Sequence, residues 1–244
     1  MALTQAQKDQ VAMQLKKHQR ETLTTSVLLD KGISIDLVVE HGVFGSDMMS
    51  SGIYLARFLY AHKILYTGKS CLDMGCGPGL QGLIMAIYGA RSVDFSDINS
   101  AAVENSRRNI LLHKLQKKCQ VFVSDLFAQM PAEKQYDIIV FNHPFFPEEA
   151  GRFGEEIIDD AMLRKSMLGG TELIKTFFKE AKWHLKNKES IIIMPYFHFA
   201  GTENDPATHA NSYGFTIIQK EKILSQQGLQ RGEISIYIIK KTIP

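Results

Sequence analysis

The most chemically specific stretch of this 244-residue chain is Asn142-His143-Pro144-Phe145, at the mouth of the apolar run YDIIVF (136–141). A strand end needs no such set. The amide offers an acceptor oxygen. The proline fixes its own φ and biases the preceding residue toward an extended backbone, which directs that residue's carbonyl. The aromatic ring offers a flat face. Together they suit a site that grips a flat polar group.

A second stretch, CLDMGCGPGLQG, carries Asp73-x-Gly75-x-Gly77-x-Gly79. Here the chain leaves a buried strand, turns sharply and enters a helix. Glycines permit positive φ and let a ligand approach the backbone, and the N–H groups opening the helix then face that ligand. Asp97 ends the next strand, 20 positions after Gly77. A carboxylate there can accept hydrogen bonds from two ribose hydroxyls. Gly77-x-Gly79-x-x-Gly82 also matches the dinucleotide fingerprint, so a nicotinamide-dependent oxidoreductase stands as a rival at this point.

The elements that must position these residues alternate. Residues 5–22 read as a polar helix with a thin apolar stripe, 33–39 as a short strand, and 51–65 as a helix with Ser51 as a candidate cap. Strands are expected at 71–74, 92–97, 119–125, 136–142 and 190–195. Helices are expected at 80–90, from Asn99 or Ser100 to about 117, and from a Thr171 cap onward, with Ile174, Phe177, Phe178, Ala181 and Leu185 on one face. GFTIIQK and ISIYIIKK close the chain as two strands with no helix between them, which implies an antiparallel final pair. Alternating strands and helices imply an α/β fold, a doubly wound and mostly parallel sheet covered on both faces. The division expected is an N-terminal extension at 1–45, helix plus short strand, and a main domain at 46–244.

Composition narrows the function classes. A formal charge of +2 gives no polyanion-binding signature. The start, MALTQAQKDQ, lacks the apolar core of a signal peptide, and no apolar run approaches the roughly 20 residues of a membrane span. Three cysteines, Cys71, Cys76 and Cys119, have no framework spacing, which points to reduced thiols and a cytoplasmic setting. No C-x-x-C or H-x-x-x-H pair suggests a structural metal.

Taken in order, Asp73-Met-Gly-Cys-Gly-Pro-Gly79, Asp97, Ser124-Asp125-Leu126 and Asn142-His-Pro-Phe145 resemble the class I S-adenosylmethionine (SAM)-dependent methyltransferases. HGVFGSDMMSSGIYL (41–55) is similar to the segment before the glycine turn in their small-domain group, which acts on rRNA guanines and protein glutamines. The resemblance implies a Rossmann-like, seven-stranded sheet with a reversed last strand. It implies SAM as cofactor. The Gly75–Gly79 loop would pack on the methionine part and ribose, with Asp73 orienting the loop or the cofactor's amino group. Asp97 would hold the ribose, Ile98 would lie on the adenine face, and Asp125 and the Leu126 N–H would meet the adenine edge.

Asn142-His143-Pro144-Phe145 then looks like the N-P-P-Y/F motif of enzymes that methylate planar nitrogen. Such a nitrogen is a poor nucleophile because its lone pair is delocalised. Two acceptors, the Asn142 side-chain oxygen and the carbonyl of residue 143, would hold its hydrogens and aim the lone pair at the methyl. Phe145 would stack on the acceptor. The gain is mostly orientation, worth about 7–11 kcal/mol in well-aligned cases. His143 stands where the motif has proline. It serves either as a general base near neutral pKa or only through its carbonyl, and it keeps open a non-catalytic member that binds SAM or a partner. The acceptor is expected to be a protein glutamine amide, another small polar molecule or an RNA base. PEEAGRFGEEIIDD (147–160) reads as an acidic lid beside the site, which would repel phosphates and favours a protein or small polar acceptor. Basic residues such as Lys16, Lys17, Arg107, Arg108, Lys117 and Lys118 lie elsewhere, as solvated faces or a nucleic-acid track. YFHF (196–199) is a candidate wall of the acceptor pocket, with His198 a weaker base candidate than His143.

Overall fold

A computed structural model describes residues 3–45, 47, 49–147, 160–226 and 231–242. Most of the expected acidic lid, 148–159, lies outside the described residues. The chain opens with α1 (Gln5–His18), capped by Thr4 in a reciprocal box with Gln7. A hairpin follows, β1 (Leu23–Asp30) and β2 (Ile33–Val39). Then come α2 (Ser50–Ala61), β3 (Ser70–Met74), α3 (Leu80–Ile87), β4 (Ser92–Asp97), α4 (Ser100–Leu112), β5 (Cys119–Val123) and β6 (Ile138–Phe141). After them lie the short α5 (Ala161–Lys165), α6 (Thr171–His184), β7 (Ile191–Phe197), the short α7 (Pro206–His209), β8 (Phe215–Ser225) and β9 (Gly232–Lys241).

The main sheet has seven strands in the order β5-β4-β3-β6-β7-β9-β8. β5, β4, β3, β6 and β7 are parallel. The last strand, β9, runs antiparallel to both β7 and β8, as expected. Successive residues bury on opposite faces, the period of a strand. Leu72, Ile139, Phe141, Ile192 and Met194 pack in one core with α1 and α6. Cys71, Ile138, Val140, Ile191 and Ile193 pack in the other with α2, α3 and the hairpin. Both faces are therefore covered, which is why these strands read as continuous apolar runs.

Order reverses at β3, whose neighbours are β4 on one side and β6 on the other. The crevice outside the carboxyl ends of these strands is where such sheets hold ligands. Asp73 is the penultimate residue of β3, Asp97 ends β4 and Asn142 follows β6, so the fold brings all three to that edge.

Several boundaries differ from expectation. Ser51 lies inside α2, whose cap position is Met49 and which makes no side-chain cap bond. Gly170, not Thr171, precedes α6. α4 stops at Leu112, where Lys114 adopts φ 58°. The N-terminal segment carries two strands, not one. LTTSVLLD pairs with ISIDLVV through a turn in which Gly32 has φ 73°, and Val27 and Leu29 bury against α2.

Candidate active site

The glycine turn after β3 is built on left-handed backbone, with φ 61° at Gly75, 55° at Gly77 and 91° at Gly79. A Cβ at Gly75 would lie 3.2 Å from the Phe141 ring, and one at Gly77 would lie 3.2 Å from the Phe44 carbonyl oxygen. The turn is tied from three sides. Gly82 N–H donates to Asp73 Oδ2 at 2.8 Å, Gly77 N–H donates to Asp97 Oδ2 at 2.9 Å, and Ser106 of α4 donates to the Gly77 carbonyl at 2.8 Å. Asn109 of α4 reaches the Pro78 carbonyl and also both backbone groups of Val38, so the hairpin is clamped to the turn.

Burial pushes the Asp73 carboxyl up to about 8, and the neighbouring Asp97 charge adds to that. Asp97 is likewise raised by burial, against the backbone N–H groups of Asn99, Gly77 and Ile98 that favour its charge.

A cavity of about 270 Å³ opens over this turn. Gly75, Gly77, Asp97, Ile98, Asp125, Leu126, Asn142 and Pro144 all line it. Ile98 is 40% exposed, an apolar surface with nothing packed on much of it. Leu126 has φ 49°, a conformation costing roughly 1 kcal/mol for a side chain with a Cβ. Ser124 holds that bend by donating to the Leu126 carbonyl and accepting from Gln129 N–H. Backbone strain of this kind gathers at ligand sites.

Asp73 and Gly79 stand behind the wall. Asp73 acts through its bond to Gly82, and a Cβ at Gly79 would press on Ser106 and Phe95.

The tetrapeptide divides between two places. Asn142 lines the large cavity, and its Oδ1 is buried without a hydrogen-bond partner among the described residues. Pro144 lines the same cavity. The His143 ring turns away from it. Its Nε2 lies 2.8 Å from the Asn204 carbonyl, so that nitrogen carries the proton. Burial drives its pKa down to about 4, and the ring is neutral at pH 7. Phe145 is buried edge-on to both His143 and Tyr196 and does not reach the large cavity. YFHF lies off it too: Tyr196 and Phe197 are core, and His198 meets Ser235 Oγ at 2.6 Å. Several basic residues are engaged locally: Arg107 with Glu104, Arg108 with Glu40, and Lys118 with the Ala86 and Ala90 carbonyls.

Sequence reasoning missed part of the wall. Phe44, held by a stack on His18 of α1 at 4.1 Å, Gly169 and Gly170 just before α6, and Leu173 in its first turn line the cavity. Their residue types carry no chemistry, and only Phe44 falls in a stretch, 41–55, that the family resemblance marks.

The residues suit SAM on the structure's own terms. The bare glycine turn leaves room that a Cβ would take, a strand-end carboxylate stands beside it, and an exposed apolar side chain follows.

A family model described as methyltransferase small domain matches residues 34–169. The ribosomal RNA small subunit methyltransferase C of Hamiltonella defensa subsp. Acyrthosiphon pisum (strain 5AT) is 34% identical over 105 residues, 43% of this chain and 29% of that protein. The human protein-lysine N-methyltransferase EEF2KMT is 30% identical over 102 residues, 39% and 31% of the two chains. The matched segments thus span under a third of the length of these relatives. Among solved structures, the ribosomal protein L11 methylase of Lactobacillus delbrueckii subsp. bulgaricus superposes with a TM-score of 0.58 at 16% identity over 84% of each chain. The T. thermophilus 16S rRNA N2 G1207 methyltransferase, in complex with AdoMet and guanosine, gives 0.60 at 18% identity over 91% of this chain and 50% of that one. At such identities the structural likeness establishes the fold.

Proposed function

This chain belongs to the methyltransferase small domain family, and from that premise we propose that it is a SAM-dependent N-methyltransferase acting on a planar nitrogen. When bound, SAM supplies a methyl group on a cationic sulfur that leaves with the C–S electron pair. Gly75 and Gly77 cradle the cofactor, Gly79 closes their turn from behind, Asp73 fixes that turn, Asp97 takes the ribose hydroxyls, and Ile98, Asp125 and Leu126 take the adenine. Asn142 Oδ1 and the carbonyl of residue 143 accept the two hydrogens of the acceptor NH2 and point its lone pair into the large cavity. The nitrogen gives up one of those hydrogens as a proton to solvent water once its new bond to carbon has formed. Pro144 sets the direction of the carbonyl before it. Phe145 supports that backbone from behind.

One observation carries this reading: Asn142, whose buried side-chain oxygen has no partner among the described residues, lines the cavity that also holds the glycine turn and Asp97. An unpaired buried acceptor costs about 1–3 kcal/mol, so its retention there fits a group that pairs with substrate. The neutral, carbonyl-bound ring of His143 favours the backbone role of that residue over a general-base role.

The acceptor is a protein, a small polar molecule or an RNA base. The relatives' names include both RNA and protein substrates, and the acidic segment favours a protein or small polar acceptor. The three unpaired cysteines support a cytoplasmic setting. Residues 1–45 are an extension whose hairpin packs on the catalytic domain at 46–244. Calorimetric titration with SAM, followed by transfer of radiolabelled methyl into cell extract split between protease and ribonuclease, tests the reading. No SAM binding, or binding without label in any fraction, would overturn it.

A further inference from the structure

His18 is the last buried position of α1. Its ring lies face to face on Phe44, with centroids 4.1 Å apart and an interplanar angle of 9°. Phe44 lines the large cavity, and its carbonyl oxygen stands 3.2 Å from where a Cβ of Gly77 would be. The segment that carries Phe44 therefore packs on the glycine turn itself. Residues 40–45 form neither helix nor strand, so no ladder of backbone bonds fixes them. Contacts from the chain at and just after the end of α1 do so instead. Arg20 pairs with Asp47 at 2.6 Å, both side chains largely buried. The Arg20 carbonyl lies 3.0 Å from His41 Nδ1, and Thr22 Oγ1 accepts from His41 N–H at 3.2 Å. A Cβ at Gly45 would fall inside contact distance of both Arg20 and Asp47. His18, Arg20 and Thr22 all precede residue 34, where the family model begins to match.

Both ring nitrogens of His18 face carbonyls: Nδ1 lies 2.8 Å from the Gln14 oxygen and Nε2 lies 3.3 Å from the Gly45 oxygen. Burial lowers the pKa of the ring below 6.5, so at pH 7 it is neutral and has one N–H to give. The shorter contact, inside α1, takes that proton. What His18 offers the Phe44 segment is therefore its flat face.

We propose that His18 is a positioning residue for the cofactor: its ring fixes the Phe44 ring as one wall of the SAM cavity, so a segment outside the matched domain completes the site. The inference rests on the reading above that this cavity takes SAM. Without the stacked face, SAM has to order Phe44 as it binds, and that cost falls on affinity. The methyl-transfer step, once SAM is bound, is untouched.

The test compares wild type with His18→Leu, which keeps a buried apolar side chain but no flat face, and His18→Phe, which keeps the face but no nitrogen. Each is measured for SAM affinity by calorimetry, for unfolding temperature without ligand, and for transfer of radiolabelled methyl into cell extract at saturating SAM. His18→Leu is expected to bind SAM about three- to tenfold more weakly, the fold-change of one aromatic pair, and to label as wild type does at saturation. His18→Phe is expected to bind SAM within about twofold of wild type. Wild-type affinity in His18→Leu, whatever its unfolding temperature, overturns the inference and leaves His18 a residue of the core alone. His18→Phe as weak as His18→Leu overturns it too, because the flat face would then not be what holds Phe44. A wild-type protein that binds no SAM overturns the proposed function itself.

Discussion

The Gly77 backbone N–H donates to Asp97 Oδ2 across 2.9 Å, which joins the tip of the turn after β3 to the carboxylate that ends β4. The other oxygen of Asp97 accepts from Asn99 N–H at 2.9 Å. One side chain therefore shapes the cradle and faces the cavity. Asp97→Ala should weaken SAM binding by about ten- to a hundredfold, the range for hydrogen bonds to a charged group. Calorimetry reads this directly. Unchanged affinity would remove Asp97 from the cofactor's partners.

Asn142 occupies a different position in the energetics. Its Oδ1 has no partner to lose among the described residues. Asn142→Ala should leave SAM affinity and unfolding temperature near wild type while methyl transfer falls by about a hundredfold or more, the scale seen when a donor or acceptor aimed at developing charge is removed. A drop in SAM affinity as large as the drop in turnover would mean that Asn142 serves the cofactor and not the acceptor.

Gly82 shows why the glycines of the turn are not equivalent. A Cβ there would fall inside contact distance of the Phe95 ring, so α3 can lie against β4 only with hydrogen at that position. Gly82→Ala should cost about 1–3 kcal/mol of stability, the usual penalty of overpacking. Adding Phe95→Leu should recover part of it, because the two sites touch and their effects do not add. Denaturant unfolding of the single and double variants checks this, and simple additivity would contradict the packing account.

The sheet was legible because its central strands β3, β4, β6 and β7 are buried on both faces. β4 (Ser92–Asp97) coincides with its expected span, and Asn99 caps α4 through a bond to Ala101 N–H. LTTSVLLD carries no such mark because β1 exposes Thr24, Ser26, Leu28 and Asp30 at its outer face, so no continuous apolar run announces it. Asp97, Ile98 and Asn142 could be read because strand ends at a reversal of order converge whatever the loops do. The orientation of the His143 ring could not, since it depends on a carbonyl 61 positions away at Asn204. Nor could the stack of His18 on Phe44, although a histidine in register with Val11 and Leu15 is a signal once that face is known to be buried.

The last prediction concerns His143, whose folded pKa of about 4 lies below the ordinary 6.5. Burial holds the ring neutral, so the unfolded chain takes up a proton first as pH falls. The contribution to stability is whole above pH 6.5 and is lost as pH drops toward 4, by about 3 kcal/mol in all. Asp73, raised to about 8 by burial, has the opposite slope over the same window, because the folded chain binds its proton first. Wild type alone therefore conceals the effect, and the comparison must be between variants. His143→Phe keeps a ring beside Phe141, Phe145 and Tyr196 but leaves the Asn204 carbonyl without its donor, a loss of about 1–3 kcal/mol at pH 8. As pH falls from 6.5 toward 4, the wild type should lose its advantage and the two unfolding free energies should converge or cross. Denaturant titrations at half-unit pH steps measure the gap. Two curves that stay parallel through that range would show that the imidazole is free to take a proton in the folded chain, and the neutral, carbonyl-bound ring would have to be given up.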